Sequence, residues 1–146
     1  MPRLVDGDNL LGSWPGRSRS DGERRFLARE IALFARERQR RIVVTFDGAC
    51  PPGLDPGPDV LFSGPGRRAD DLILDLLRRE ENPRGWTVVT NDRSLADQCR
   101  YLGTHVERCD VFREQLSRVS SDEKPDKTTD VSYWLEVFGN DPEPRD

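Results

Sequence analysis

The stretch Leu4-Val5-Asp6-Gly7-Asp8-Asn9 decides the fold, because an apolar run with strand character leads directly into acids and a glycine. A similar order recurs at residues 42–47 and 88–92, and the pair Asp70-Asp71 opens a predicted helix. In an open α/β sheet, side chains at the carboxyl ends of the strands face one crevice, so acids distant in sequence meet there. The sequence therefore predicts four acidic positions around a single site.

Strand-like and helix-like segments alternate along the chain. Strands are predicted at residues 3–6, 42–46, 60–62, 86–90 and 104–107. Helices are predicted at residues 20–40, 69–81, 94–102 and 110–119, with loops at residues 7–16 and 48–58. This alternation is typical of an α/β fold with a central, mostly parallel sheet and helices on both faces.

The first long helix begins at Ser20-Asp21-Gly22-Glu23, which has the form of a capping box. Phe26, Leu27, Ile31 and Phe34 follow at helical spacing and predict the buried face. The opposite face is predicted to carry these arginines: Arg24, Arg25, Arg29, Arg36 and Arg38.

The formal net charge of −4 averages two unlike parts of the 146-residue chain. Residues 1–118 carry 20 basic and 19 acidic side chains, whereas residues 119–146 carry three basic and eight acidic ones. Both lysines lie in the second part, so every cation of the first part is an arginine. Arginine suits phosphate recognition, although a GC-rich genome would favour arginine for no functional reason.

We expect three parts: a domain at residues 1–118, a flexible acidic linker at 119–130, and an aromatic segment with a disordered end at 131–146. The apolar residues 131–139 either pack back on their own domain or dock on a partner such as the ribosome. No apolar run is long enough for a membrane helix, and three unpatterned cysteines fit poorly with a disulfide framework. We therefore expect a cytoplasmic protein, with an oligomeric state that the sequence does not reveal.

Carboxylate and amide oxygens are the donors that Mg²⁺ or Mn²⁺ prefers, whereas zinc prefers Cys and His. The single histidine, His105, has no paired cysteine, and we expect it to be a partly buried strand residue. An ion held by acids could lower the pKa of a bound water and neutralise charge on a phosphodiester. The candidate acids are Asp6, Asp70, Asp71 and Asp92, and the candidate supporting groups are Asn9, Thr90 and Asn91.

Three acids of these motifs also have a structural interpretation. Asp8 is interpreted as an acid in a loop. Asp71 is interpreted as a negative charge at a helix N-terminus, and Asp92 is interpreted as a helix cap.

Four motifs resemble the NYN branch of PIN-like nucleases, in particular its YacP-like members. They are residues 4–12, Val43-Val44-Thr45-Phe46-Asp47-Gly48, Ala69-Asp70-Asp71-Leu72-Ile73, and Val88-Val89-Thr90-Asn91-Asp92. The resemblance covers about residues 3–118 and implies a PIN-like, Rossmann-like three-layer fold and a Mg²⁺- or Mn²⁺-dependent ribonuclease. It also implies roles for individual residues. Asp6, Asp70 and Asp92 would be metal ligands, Asp71 a further catalytic acid, Asn9 a supporting polar group, and Asp47 the acid of a Phe-Asp-Gly motif.

RNA binding would need a local basic patch, because basic and acidic residues are nearly balanced in the domain. Arg17, Arg19, Arg67 and Arg68 flank the predicted site in loops and are the candidates for that patch. Trp14 could stack on a base of single-stranded RNA, or could fold over the core.

Two other functions stay open beside an endoribonuclease acting on single-stranded or flexible RNA. The first is a haloacid dehalogenase-type phosphatase, in which Asp6 would be the nucleophile and Asp8 the general acid. The second is a non-catalytic RNA-binding adaptor that associates with the ribosome.

Overall fold

The structure is a computed structural model that describes residues 2–53, 57 and 59–123. Its strands are β1 (Arg3–Asp6), β2 (Ile42–Phe46), β3 (Val60–Phe62), β4 (Thr87–Val89) and β5 (His105–Glu107). Its α-helices are α1 (Gly7–Gly12), α2 (Asp21–Arg38), α3 (Ala69–Arg79), α4 (Arg93–Tyr101) and α5 (Cys109–Glu123). A short 3-10 helix, Pro83–Gly85, precedes β4.

The five strands form one sheet in the order β3-β2-β1-β4-β5, and all four pairings are parallel. β1 is central, with Leu4 opposite Val43 on one side and Val88 on the other. The prediction of an α/β fold with a parallel sheet is thus confirmed. The carboxyl ends of β1, β2 and β4 therefore meet at one edge.

Helices cover both faces of the sheet. On one face, Leu4 and Val88 belong to a buried cluster with Ile73 and Leu77 of α3 and Leu95 of α4. On the other face, α2 packs against α5, where the rings of Phe34 and Phe112 lie 5.7 Å apart. This is the three-layer arrangement that the resemblance implied.

α2 begins as its sequence indicates and ends two residues before its predicted end. The Ser20 Oγ accepts the backbone N–H of Glu23 at 3.2 Å, which caps the first turn. The helix ends where Gln39 adopts a left-handed backbone with φ of 52°.

The prediction of a loop over residues 7–16 is wrong in its first half, because α1 begins directly after β1. Leu10 and Leu11 of α1 are fully buried. Their burial outweighs the poor helix propensity of the glycines, since fully burying a leucine contributes about 1.5–3 kcal/mol. The tertiary contact, and not local propensity, makes this helix.

Two further expectations differ from the structure. His105 is exposed on the edge strand β5, not partly buried. α5 continues to Glu123, four residues past its predicted end and into the predicted linker.

The chain divides into two compact units, residues 1–116 and 117–146, and the aromatic segment 131–139 lies outside the described residues. None of the described helices has the length and apolar character that crossing a membrane requires.

Candidate active site

A polar pocket of about 70 Å³ opens at the carboxyl edge of the sheet. It has room for several water molecules, each of which needs roughly 10–15 Å³. The pocket is lined by Asp6, Asp8, Asn9, Arg19, Asp47, Arg68, Asp70 and Asp92. Five carboxylates from four segments of the chain therefore line the same small pocket.

Asp6 is the most buried of the predicted metal ligands, at 7% exposure. Its pKa is raised from 3.8 to about 7, mainly by burial and in smaller part by the nearby carboxylates of Asp47 and Asp8. The Thr90 hydroxyl, which donates to the Asp6 Oδ2 at 3.2 Å, and the backbone N–H of Asn9 lower it. No arginine is among these influences, so a bound cation would relieve the cost of ionising Asp6.

Asn9 lines the pocket and also joins three elements. Its Oδ1 accepts the backbone N–H of Asn91 at 2.6 Å and lies 3.3 Å from the Cys109 Sγ. The Asn91 side chain accepts the backbone N–H of Cys109 at 2.9 Å and does not line the pocket. The Thr90 Oγ1 accepts the backbone N–H of Asp92 at 3.0 Å. Thr90 and Asn91 therefore stabilise the pocket through hydrogen bonds without lining it.

Asp92 both caps a helix and lines the pocket. Its Oδ1 accepts the backbone N–H of Leu95 at 3.2 Å, which makes Asp92 the N-cap of α4. The structural interpretation of Asp92 and the functional one are thus compatible.

Asp70 and its neighbour Asp71 differ in position. The Asp70 Oδ1 accepts the backbone N–H of Asp71 at 3.0 Å and lies 3.4 Å from the Arg68 Nε. Asp71 is exposed in the first turn of α3 and is not among the residues lining the pocket. Its position favours the simple helix-terminal charge over a place beside the other acids.

Asp8 is a buried structural acid, and its interpretation as a loop acid is wrong. It is 2% exposed and accepts two hydrogen bonds from the Arg24 guanidinium, at 2.9 and 3.0 Å. Its Oδ2 also accepts the backbone N–H of Asp47 at 2.7 Å, and the Asp47 Oδ1 accepts the backbone N–H of Ala69 at 2.6 Å. This series of bonds connects α2, α1, the end of β2 and the start of α3. It therefore helps to place Asp70, the residue after Ala69.

The prediction that Arg24 lies on the outer face of α2 is also wrong, since Arg24 pairs with Asp8. A sequence signal for this position exists. Arg24, Leu27 and Ile31 follow at spacings of three and four residues, which places Arg24 on the buried face of the helix.

The YacP-like NYN domain model matches residues 3–133 of this chain. The chain belongs to the YacP-like NYN domain family. Two crystal structures of Rae1 (YacP) from Bacillus subtilis have a similar fold. One, a tryptophan-to-leucine mutant, has a TM-score of 0.69 at 20% identity and covers 83% of this chain and 77% of that chain. The other has a TM-score of 0.65 at 22% identity and covers 84% and 78%, respectively. No curated protein matches the chain.

The pocket of this YacP-like domain has the donor types that suit a hard divalent cation. Carboxylates and an amide are its main lining groups, and Mg²⁺ in proteins is usually held by one or two carboxylates plus several waters. Across residues 2–53, 57 and 59–123, however, no group of three or more His, Cys, Asp or Glu side chains is arranged so that it could hold a metal ion. The chemistry of the donors fits Mg²⁺ or Mn²⁺, with waters completing the shell.

Two of the four arginines predicted to bind RNA lie at the pocket of this YacP-like domain, and two do not. Arg19 and Arg68 line the pocket, and Arg68 is 73% exposed along its side chain. Arg17 is paired with Glu23 at 2.9 Å, and Arg67 with Asp75 at 2.7 Å. Arg68 also lies 3.4 Å from the Asp70 carboxylate, so three of the four arginines are partly compensated within the domain and Arg19 is not among them.

Trp14 is half-buried and packs edge-on against Phe26, with ring centroids 6.4 Å apart. The Arg17 guanidinium lies over both rings, 5.3 Å from the Trp14 centroid and 3.8 Å from the Phe26 centroid. These contacts favour the interpretation of Trp14 as a residue folded over the core. Arg17 accordingly supports this aromatic pair.

Proposed function

We propose that this protein is a divalent-metal-dependent endoribonuclease that cleaves single-stranded or flexible RNA. The observation that carries the proposal is the convergence of five carboxylates on one pocket at the edge of the sheet. Membership of the YacP-like NYN family supports a nuclease-type, RNA-related function. Asp6 supports it further, because its buried carboxyl would gain most from a neighbouring cation.

We propose that Asp6, Asp70 and Asp92 would hold Mg²⁺ or Mn²⁺, with one or two of these carboxylates binding the ion directly and the remainder binding it through water molecules. When bound, the ion would lower the pKa of an attacking water and neutralise charge that develops on the phosphodiester. Asn9 orients the site through its hydrogen bond to the end of β4. Arg19 and Arg68 would hold the flanking phosphates, since both residues line the acidic pocket and guanidinium groups match phosphate. Asp71 is left out of this ligand set.

Cleavage of a labelled single-stranded RNA with Mn²⁺, Mg²⁺ or EDTA tests the proposal. The wild-type protein should cut in at least one metal and not in EDTA, and Asp92→Asn should lose this activity. Asparagine retains a side-chain oxygen that can cap α4, so the variant should stay folded. Asp97→Asn is the matched control, because Asp97 is an exposed acid of the same helix, does not line the pocket and forms an ion pair with Arg100. Equal cutting by wild type and Asp92→Asn would reject the proposal.

The adaptor function remains the second candidate, and binding of RNA without cutting in any metal would favour it. A ribosomal or protein partner for residues 131–139 stays a prediction, because that segment lies outside the described residues. The phosphatase function lacks support. Its required general acid, Asp8, is 2% exposed, and both of its oxygens already accept hydrogen bonds from Arg24 or from the backbone N–H of Asp47.

A further inference from the structure

Exposed arginines of the described chain fall into two groups, those within 4.0 Å of a carboxylate and those without such a neighbour. The paired ones are Arg41, Arg67, Arg68, Arg78, Arg100 and Arg108. Among the described residues, no ion pair is found for nine exposed arginines: Arg19, Arg25, Arg29, Arg36, Arg38, Arg40, Arg79, Arg84 and Arg93. Four of them, Arg25, Arg29, Arg36 and Arg38, belong to α2, and Arg19 and Arg40 lie just before and just after this helix. The other three lie at the end of α3, in the 3-10 helix and at the start of α4, so α2 carries the largest group of exposed arginines without an ion pair.

Arg25, Arg29 and Arg36 form a row on the outer face of α2, which we call the α2 arginine row. Successive residues of an α-helix differ by about 100° around the axis, so these three lie within roughly 40° of one another. The buried side chains of α2, Leu27, Ile31 and Phe34, lie on the opposite face. At about 1.5 Å per residue, the row is roughly 16 Å long.

The neighbouring acids of α2 do not interrupt the row. Glu30 and Glu37 lie roughly 100–120° away from it around the helix axis. Asp21 and Glu23 of the first turn are paired with Arg24 and Arg17.

The row begins near the acidic pocket. Arg24, the residue before its first member, is bonded to the pocket-lining Asp8, and Arg19 lines the pocket just before α2. Arg40 follows the end of the helix and is also exposed, without an ion pair in the described part of the chain. Positive charge thus extends from the site along the whole length of α2.

We propose that the α2 arginine row binds the phosphate backbone of the single-stranded RNA beyond the nucleotides in the pocket. The inference rests on the proposed function for the identity of the polyanion. Guanidinium groups bind phosphate through paired hydrogen bonds, and exposed, unpaired ones need no existing ion pair to be broken first. The pocket, with its five acids, attracts RNA poorly without such a row. RNA long enough to reach from the pocket along α2 therefore binds more tightly than RNA that fills the pocket alone.

Binding of a long single-stranded RNA in EDTA, measured by fluorescence anisotropy at several salt concentrations, tests the row. The triple variant R25Q/R29Q/R36Q should bind at least tenfold more weakly than wild type at low salt. The slope of log affinity against log salt should fall by about 2, since each lost contact to single-stranded phosphate contributes about 0.7. The conservative variant R25K/R29K/R36K should retain most of the affinity, because the charges remain.

The matched control is R78Q/R79Q/R100Q, which removes the same charge from exposed positions of α3 and α4. Equal weakening in both triple variants would overturn the row, because net charge alone would then explain the loss. Circular dichroism and the melting temperature of each variant verify that it is folded.

Failure of the row and failure of the nuclease proposal are distinguishable, because binding in EDTA requires no cleavage. Row-dependent binding by a protein that cuts in no metal would keep the row and reject the nuclease. Metal-dependent cutting by the wild type, together with unchanged RNA binding by R25Q/R29Q/R36Q, would support the nuclease and reject the role of the α2 arginine row. Tighter row-dependent binding to phosphatidylglycerol vesicles than to RNA would overturn the assignment to RNA.

Discussion

The carboxyl of Asp6 is held in a buried position, where burial raises its pKa from 3.8 to about 7. The unfolded chain ionises Asp6 near its ordinary pKa, so between these two values the folded protein binds more protons than the unfolded one. Stability that depends on Asp6 is therefore fully present below the unfolded pKa and is lost as the pH rises towards 7. The loss is on the order of a few kcal/mol, since each pKa unit corresponds to about 1.4 kcal/mol.

Asp6→Asn should therefore be more stable than wild type in EDTA, with a larger advantage at pH 8 than at pH 5. Urea denaturation at both pH values measures the difference in free energy of unfolding. Added Mn²⁺ should stabilise the wild type and not the variant, because only the folded wild type carries the complete set of ligands. An advantage of equal size at both pH values would show that the pKa of Asp6 is not raised.

Asp47 should position the start of α3 through its hydrogen bond to Ala69, and this hydrogen bond does not require the charge of Asp47. Asp47→Asn keeps an oxygen for the Ala69 N–H, whereas Asp47→Ala leaves that N–H without its 2.6 Å partner. The alanine variant should lose about 1–3 kcal/mol of stability and about tenfold in Mn²⁺ affinity, because it loosens the start of α3. The asparagine variant should stay near wild type in both.

Mn²⁺ affinity of these variants is measured from the shift in melting temperature with metal concentration, and stability from urea denaturation without metal. A loss in Asp47→Asn as large as in Asp47→Ala would assign Asp47 to the metal ligands.

At the scale of the element, α1 depends on the absence of a side chain at Gly7. A Cβ at this position would lie 2.8 Å from the Thr45 backbone oxygen and would also contact the Phe46 ring. Gly22, in the first turn of α2, has open space around the same atom. The same substitution should therefore have opposite effects in the two helices.

Gly7→Ala should lower the free energy of unfolding by about 1–3 kcal/mol, because the β2 backbone cannot move away. Gly22→Ala should raise it by up to about 1 kcal/mol, because alanine is the better helix former. Urea denaturation of both variants measures the changes. A neutral Gly7→Ala would mean that α1 is not packed against β2 in solution.

At the scale of the whole molecule, charge is divided between the domain and the acidic end of the chain. Residues 124–146 contain three basic and six acidic side chains, so their removal changes the formal net charge from −4 to −1. This deletion should tighten RNA binding at low salt and have little effect at high salt, because salt screens repulsion between exposed charges. Anisotropy in EDTA measures the affinities.

The control for this deletion is the full chain with the acids of residues 124–146 replaced by their amides. Its formal net charge is +2, compared with −1 for the deletion, so it should bind RNA at least as tightly as the deletion does if charge is the cause. Affinity that is unchanged by the deletion at low salt would contradict the expectation.

The alternation of strands and helices, the capped start of α2 at Ser20 and the family were predictable from the sequence by itself. Each depends on local signals, such as side-chain period and capping residues, or on motifs whose order the sequence displays directly. The four acidic motifs also located the edge of the sheet at which a site forms.

Only the tertiary structure decided which of these acids line the pocket, and which arginines remain unpaired. Asp71 is excluded by its position on α3, Asp8 is held by Arg24 of another helix, and α1 forms because Leu10 and Leu11 are buried. These outcomes depend on distances between elements that are far apart in sequence. Local propensity does not contain those distances, since they arise when the sheet and both helix layers pack together.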